Sequence, residues 1–98
     1  MSYTTTMKAI RWNSEKNLWL IRHRGVCFEQ VLLLLERGEL LDVVDHPNPR
    51  QYPAQKMAVV AINDYAYLVP YVEDEDEIFH KTIIPSRKAT AEYLRENE

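Results

Sequence analysis

Residues 57–72 read MAVVAINDYAYLVPYV. Two runs rich in β-branched and aromatic side chains, 57–62 and 65–72, are separated only by the turn-forming pair Asn63-Asp64, which predicts a β-hairpin. Strand alternation puts Tyr65, Tyr67 and Tyr71 on one face of the second run. Pro70 lies inside that run and brings no N–H to a ladder, so it predicts a bulge or a locally open edge. Downstream, five successive carboxylates at 73–77 predict a solvated turn, and 78–84 a third strand. Pro85-Ser86 ends that strand and caps a last helix, 87 to about 95, with Ala89, Tyr93 and Leu94 facing inward.

Upstream of the hairpin, 42–53 holds three prolines and few apolar side chains, the composition of a loop. Before it, Phe28, Val31, Leu32 and Leu35 stand at i, i+3, i+4 and i+7, one apolar helical stripe. Leu33 and Leu34 widen the stripe, so this helix is expected to be covered on more than one side, with Gly38 as its stop. An earlier helix over 14–24 begins at the N-cap Asn13 and ends with Arg22, His23 and Arg24 before Gly25. Residues 8–12 are compatible with a short strand, because Ile10 and Trp12 share a parity. Residues 1–7 read as a flexible polar leader to a single domain, 8–98. The order predicts an α+β fold, two N-terminal helices and a closing C-terminal helix on one face of a small antiparallel β-meander.

Composition narrows the function. The chain has 98 residues, 46% apolar and 28% charged, so one globular domain is expected. Its formal net charge of −3 gives no overall field for nucleic acid, so RNA binding must rest on a local patch. One cysteine, Cys27, excludes an internal disulfide and a Cys-rich metal site, and suits the cytoplasm. The longest aliphatic run, 31–35, is far short of the roughly 20 residues of a membrane span. No glycine-rich phosphate loop or Gly-x-Ser-x-Gly elbow is present, and no cofactor or metal is expected.

The chemistry-bearing residues are few. Ser86-Arg87-Lys88 opens the last helix, where cations oppose the helix dipole but, beside free N–H groups, build a phosphate cradle. The competing reading turns both side chains to water or to the 73–77 carboxylates. Lys81 and Lys56 lie on strands that antiparallel pairing could bring into one region. The tyrosines suit base stacking, though cross-strand packing is favoured. Of the histidines, His46 sits on a loop as catalytic groups often do, His80 reads as a partly packed strand residue, and His23 as a helix C-terminal charge.

Three motifs resemble those of BrnT-family toxins. Trp12-Asn13-Ser14-Glu15-Lys16 is similar to the Trp-Asp-x-x-Lys helix start of that family. Arg24-Gly25-Val26-Cys27-Phe28-Glu29 is similar to its His-Gly-Val-x-Phe-Glu turn, and Ile83-Ile84-Pro85-Ser86-Arg87-Lys88-Ala89 to its Ile-Ser-Ala-Arg-Lys-Ala segment. The resemblance spans roughly 8–94 with a divergent middle. It implies a RelE-like fold and a type II toxin that blocks translation by cutting RNA without a metal. It also implies a cognate antitoxin, usually DNA-binding, that covers the active surface. Lys16, Arg87 and Lys88 fall on the family's motif positions, with Gly25 and Phe28 structural.

Two readings follow. In the first the chain is a cofactor-free endoribonuclease: Arg87 and Lys81 stabilise the phosphate, His46 or Lys56 moves protons, and Ser86, Lys88, Lys16 and Arg24 bind RNA. In the second it is a toxin-like fold that has lost catalysis and acts only through protein partners. A homodimer or a hetero-complex suits either.

Overall fold

The computed structural model describes residues 8–94. The expected leader, 1–7, and the end of the last helix at Arg95 lie outside them. The elements are β1 (Ala9–Arg11), α1 (Ser14–Arg24), α2 (Phe28–Glu36), β2 (Asp42–Asp45), β3 (Gln55–Ile62), β4 (Tyr65–Glu73), β5 (Glu77–His80), β6 (Ile84–Pro85) and α3 (Arg87–Leu94). They form an α+β domain of three helices and one mixed sheet.

The hairpin is as expected. Asn63 and Asp64 both take positive φ, 54° and 65°, which a two-residue turn of right-handed twist demands. β3 and β4 then pair without a break from Ile62↔Tyr65 to Gln55↔Val72. The sheet runs β1-β5-β4-β3-β2, with β6 beside β4. Two strands depart from expectation. Asp42–Asp45, expected as loop, is an edge strand antiparallel to β3, because Val43 and Val44 find a ladder that outweighs the prolines around them. β1 pairs in parallel with β5, so the sheet is not a pure antiparallel meander.

Pro70 explains the third departure. Lys81 N–H donates to the Pro70 carbonyl at 2.8 Å, so the backbone polar groups of Pro70 point away from β3, toward β5 and β6. With no N–H to offer there, the ladder cannot continue. The expected third strand, 78–84, therefore splits into β5 and β6, and residues 81–83 leave the sheet. Three residues, 81–83, stand opposite Val69 and Pro70, and Pro70 is buried, so of its two expectations the bulge is the one realised.

The helices do not all pack on one face. Ala58, Val60, Ile62 and Val69 join Leu20, Val26, Phe28, Val31 and Ile83 in one core beneath α1 and α2. Their alternates Val59, Ala66 and Leu68 meet Ala89, Tyr93 and Leu94 of α3 on the other side. The sheet is thus the middle of three layers. Leu33, expected to be covered, is 52% exposed on α2.

Asn17 joins α1 to α2. Buried, its side-chain oxygen accepts the Phe28 N–H at 2.8 Å and its amide donates to Glu29 at 2.8 Å. The first bond satisfies an N–H that helix geometry leaves without a partner. Asn17→Ala is expected to cost about 2 kcal/mol, the penalty for a buried donor left unpaired, read as a lower urea midpoint at unchanged slope.

Candidate nucleic-acid interface

Some cations of the chain are ion-paired and others are not. Lys8–Glu73 (2.7 Å), Arg11–Glu77 (3.0 Å), Arg37–Glu39 (3.7 Å) and Lys56–Asp45 (3.2 Å) are ion-paired. Among the described residues, no carboxylate stands within 4 Å of Lys16, Arg22, Arg24, Lys81, Arg87 or Lys88. These six lie on α1, on the 81–86 connector and at the start of α3. The acidic residues 73–77 sit at the opposite end of β4. There Asp74 accepts the N–H groups of Asp76 and Glu77, which holds its carboxyl below the usual range. About seven residues of strand, roughly 23 Å, separate that turn from Ala66, whose carbonyl accepts the Ser86 N–H.

On α1, Trp19 gathers the cations. Lys16 Nζ lies 4.3 Å from the indole centroid, the Arg24 guanidinium 5.0 Å, and the His23 ring stacks on it at 4.6 Å. Arg24 also donates to the Ile83 carbonyl at 2.7 Å, which fastens the end of α1 to the connector carrying Lys81 and leading to Arg87. Gly25, at φ 68°, stops α1 at that point, and its N–H closes on the Ile21 carbonyl. The motif position Phe28 is wholly buried.

Ser86 is the cap that its sequence predicts: its hydroxyl accepts the Ala89 N–H at 3.0 Å. That leaves the N–H groups of Arg87 and Lys88 without an intrahelical acceptor. Lys88 and Ser86 line a groove of about 270 Å³ with Asp45, Pro47 and Tyr93. Tyr93 donates to Asp42, which ties α3 to the edge strand and pushes the phenol up to about 12.

The eight nominated residues are therefore not one constellation. Ser86, Lys88 and the segment holding His46 surround the α3 groove. Lys16 and Arg24 belong to the Trp19 patch, with Lys81 and Arg87 exposed on and just beyond the connector. Lys56 stands apart, on the α1/α2 face, in a groove of about 390 Å³ with Lys8, Tyr71 and Glu73. His46 accepts the Asn48 N–H at Nδ1 and packs on Tyr52 at 4.4 Å, so a neutral ring carries its proton on Nε2.

His80 is 2% exposed, packed against Phe28 and Tyr71, and burial pushes it down to about 4. It is a neutral core residue at pH 7, in line with its strand parity. Tyr67 and Tyr71 pack against the core, as favoured, and burial raises the Tyr71 phenol. Sequence reasoning missed Trp19, although Lys16, Trp19 and His23 at i, i+3 and i+7 mark one helical face. Among the described residues no group of three or more metal-ligating side chains converges, and no helix is long and apolar enough to cross a membrane.

No family model matches the chain, and neither a curated protein nor a solved structure is significantly similar to it.

Proposed function

We propose that the chain is the toxin of a type II toxin–antitoxin pair, a metal-independent endoribonuclease that inhibits translation by cutting RNA. The observation that supports this most is the presence of six cations, none ion-paired to a carboxylate among the described residues, on α1, the connector and the start of α3. Such a patch gives a chain of net charge −3 a local anion site, because its cations are not neutralised by ion pairs among the described residues, although Glu15 on α1 and Glu92 on α3 lie on the same elements. Attack of a 2′-oxygen on the adjacent phosphorus builds negative charge on the phosphate, and Arg87, Lys81 and the first N–H groups of α3 meet it. His46 or Lys56 is nominated to move protons, taking one from the 2′-hydroxyl and returning one to the leaving oxygen.

The test is induced expression of wild type and Arg87→Ala, with growth and total RNA followed together. Wild type is expected to arrest growth and fragment RNA, and Arg87→Ala to lose about 10²–10³ in cleavage rate, the usual loss for a group that stabilises transition-state charge. Normal growth with intact RNA, from folded wild-type protein, rejects the proposal. It would leave the second reading, a catalytically inactive protein-binding module. The exposed Leu40 and Leu41 just before edge strand β2, with Val43 on it, favour that reading, and in the first reading they suit the cognate antitoxin.

A further inference from the structure

We propose that Trp19 is the platform on which one unpaired base of a single-stranded RNA stacks, with Lys16 and Arg24 holding the phosphates on either side of it. The inference rests on the ribonuclease reading and names the form of RNA that the same patch takes. Trp19 is 38% exposed, while its neighbour Leu20 carries the core contact of α1. The other indole, Trp12, is spent on the interior, stacked on Phe28 at 5.5 Å. Three side chains hold the Trp19 ring, one from the preceding turn and two from the following one, so a large aromatic plane is oriented without being buried.

The cations decide between occupants. Lys16 and Arg24 face the ring and no described carboxylate, so they can turn to a phosphate without giving up an ion pair. A base arriving with its own phosphates supplies both a π-face for the indole and anions for the two side chains. An apolar protein surface, which exposed Leu18 and Ile21 also suit, would cover Trp19 but bury the two charges without partners. A duplex keeps its bases stacked inside and offers only backbone to such a site. Single-stranded RNA satisfies all three side chains together.

The experiment measures binding of a labelled, unstructured RNA oligonucleotide by fluorescence anisotropy. The oligonucleotide is 2′-O-methylated so that its own 2′-hydroxyls cannot attack. A duplex of the same length and the variants Trp19→Ala and Trp19→Phe are compared at one salt concentration, with thermal melts to show that each variant is folded. The single strand is expected to bind wild type and quench tryptophan emission. Trp19→Ala is expected to lose about 5–100-fold in affinity, in line with the loss of one stacked base, and Trp19→Phe to keep most of it. Equal binding by Trp19→Ala and wild type, or a duplex that binds as tightly as the single strand, overturns the inference. If wild type still arrests growth and cuts RNA in that case, the ribonuclease reading survives it. If wild type neither binds RNA nor arrests growth, both fall, and a protein partner becomes the occupant to seek.

Discussion

Phe28→Ala is expected to lower the free energy of unfolding by about 4 kcal/mol, a large share of the 5–15 kcal/mol typical of a domain. Phe28 is fully buried at the first turn of α2, stacked on Trp12 and tilted against His80, and its N–H is held by Asn17. Truncation would empty the point where α1, α2 and β5 meet. It would also expose the His80 ring, whose Nδ1 has no hydrogen-bond partner among the described residues. Phe28→Leu keeps most of the volume and should cost about 1 kcal/mol. Leu33→Ala, on the exposed side of the same helix, should change stability by less than about 0.5 kcal/mol. Urea unfolding of the three variants checks the order; a Phe28→Ala midpoint close to that of wild type would contradict the packing described.

Acidification from pH 7 to pH 4 is expected to remove about 3 kcal/mol of stability through His80 alone. Burial lowers its pKa from 6.5 to about 4, and no carboxylate is stacked or bonded against the ring to favour its charged form. In the unfolded chain the same imidazole protonates near 6.5, so between those values the unfolded state binds the extra proton. The stabilisation is therefore whole above pH 6.5, falls as the pH drops, and is spent near pH 4. Glu29, Asp42 and Asp74 have lowered pKa values and lose their contributions only at lower pH, as acid neutralises them. The window between pH 6.5 and about 4.5 thus belongs to the histidine. His80→Phe should flatten the dependence of the urea midpoint on pH in that window; an unchanged slope would assign it to another group.

Much of this architecture is legible in local chemistry. Asn13, Gly25, Ser86 and the Asn63-Asp64 pair act through hydrogen bonds or φ values of a few neighbouring residues, so their roles follow from sequence. The departures are all non-local. β2 exists because β3 offers it a ladder, and β1, a strand that its sequence allowed, runs parallel because its neighbour is β5; composition announces neither pairing. The position of α3 on the face opposite α1 and α2 rests on packing against Val59, Ala66 and Leu68, far from it in the chain. The same holds for the candidate site. Ser86, Arg87 and Lys88 are marked by a helix start, whereas the tie between Arg24 and Ile83 joins residues 59 apart in the chain. Lys56 was nominated from strand pairing, and it does reach a groove, but one shared with Lys8 and Glu73 on the far side of the sheet from α3.

The bond from Arg24 to the Ile83 carbonyl also sets an order of events during synthesis. A ribosome releases α1 and its cations well before the connector and α3. The surface that joins them cannot exist until Ile83 has emerged and reached the core. Until then the pairing of β1 with β5 is also missing, although β2, β3 and β4 can already pair. In the proposed function, a chain stopped before residue 80 would carry Lys16, Trp19 and Arg24 but lack Lys81 and Arg87, and so would hold RNA without meeting the charge of its cleavage.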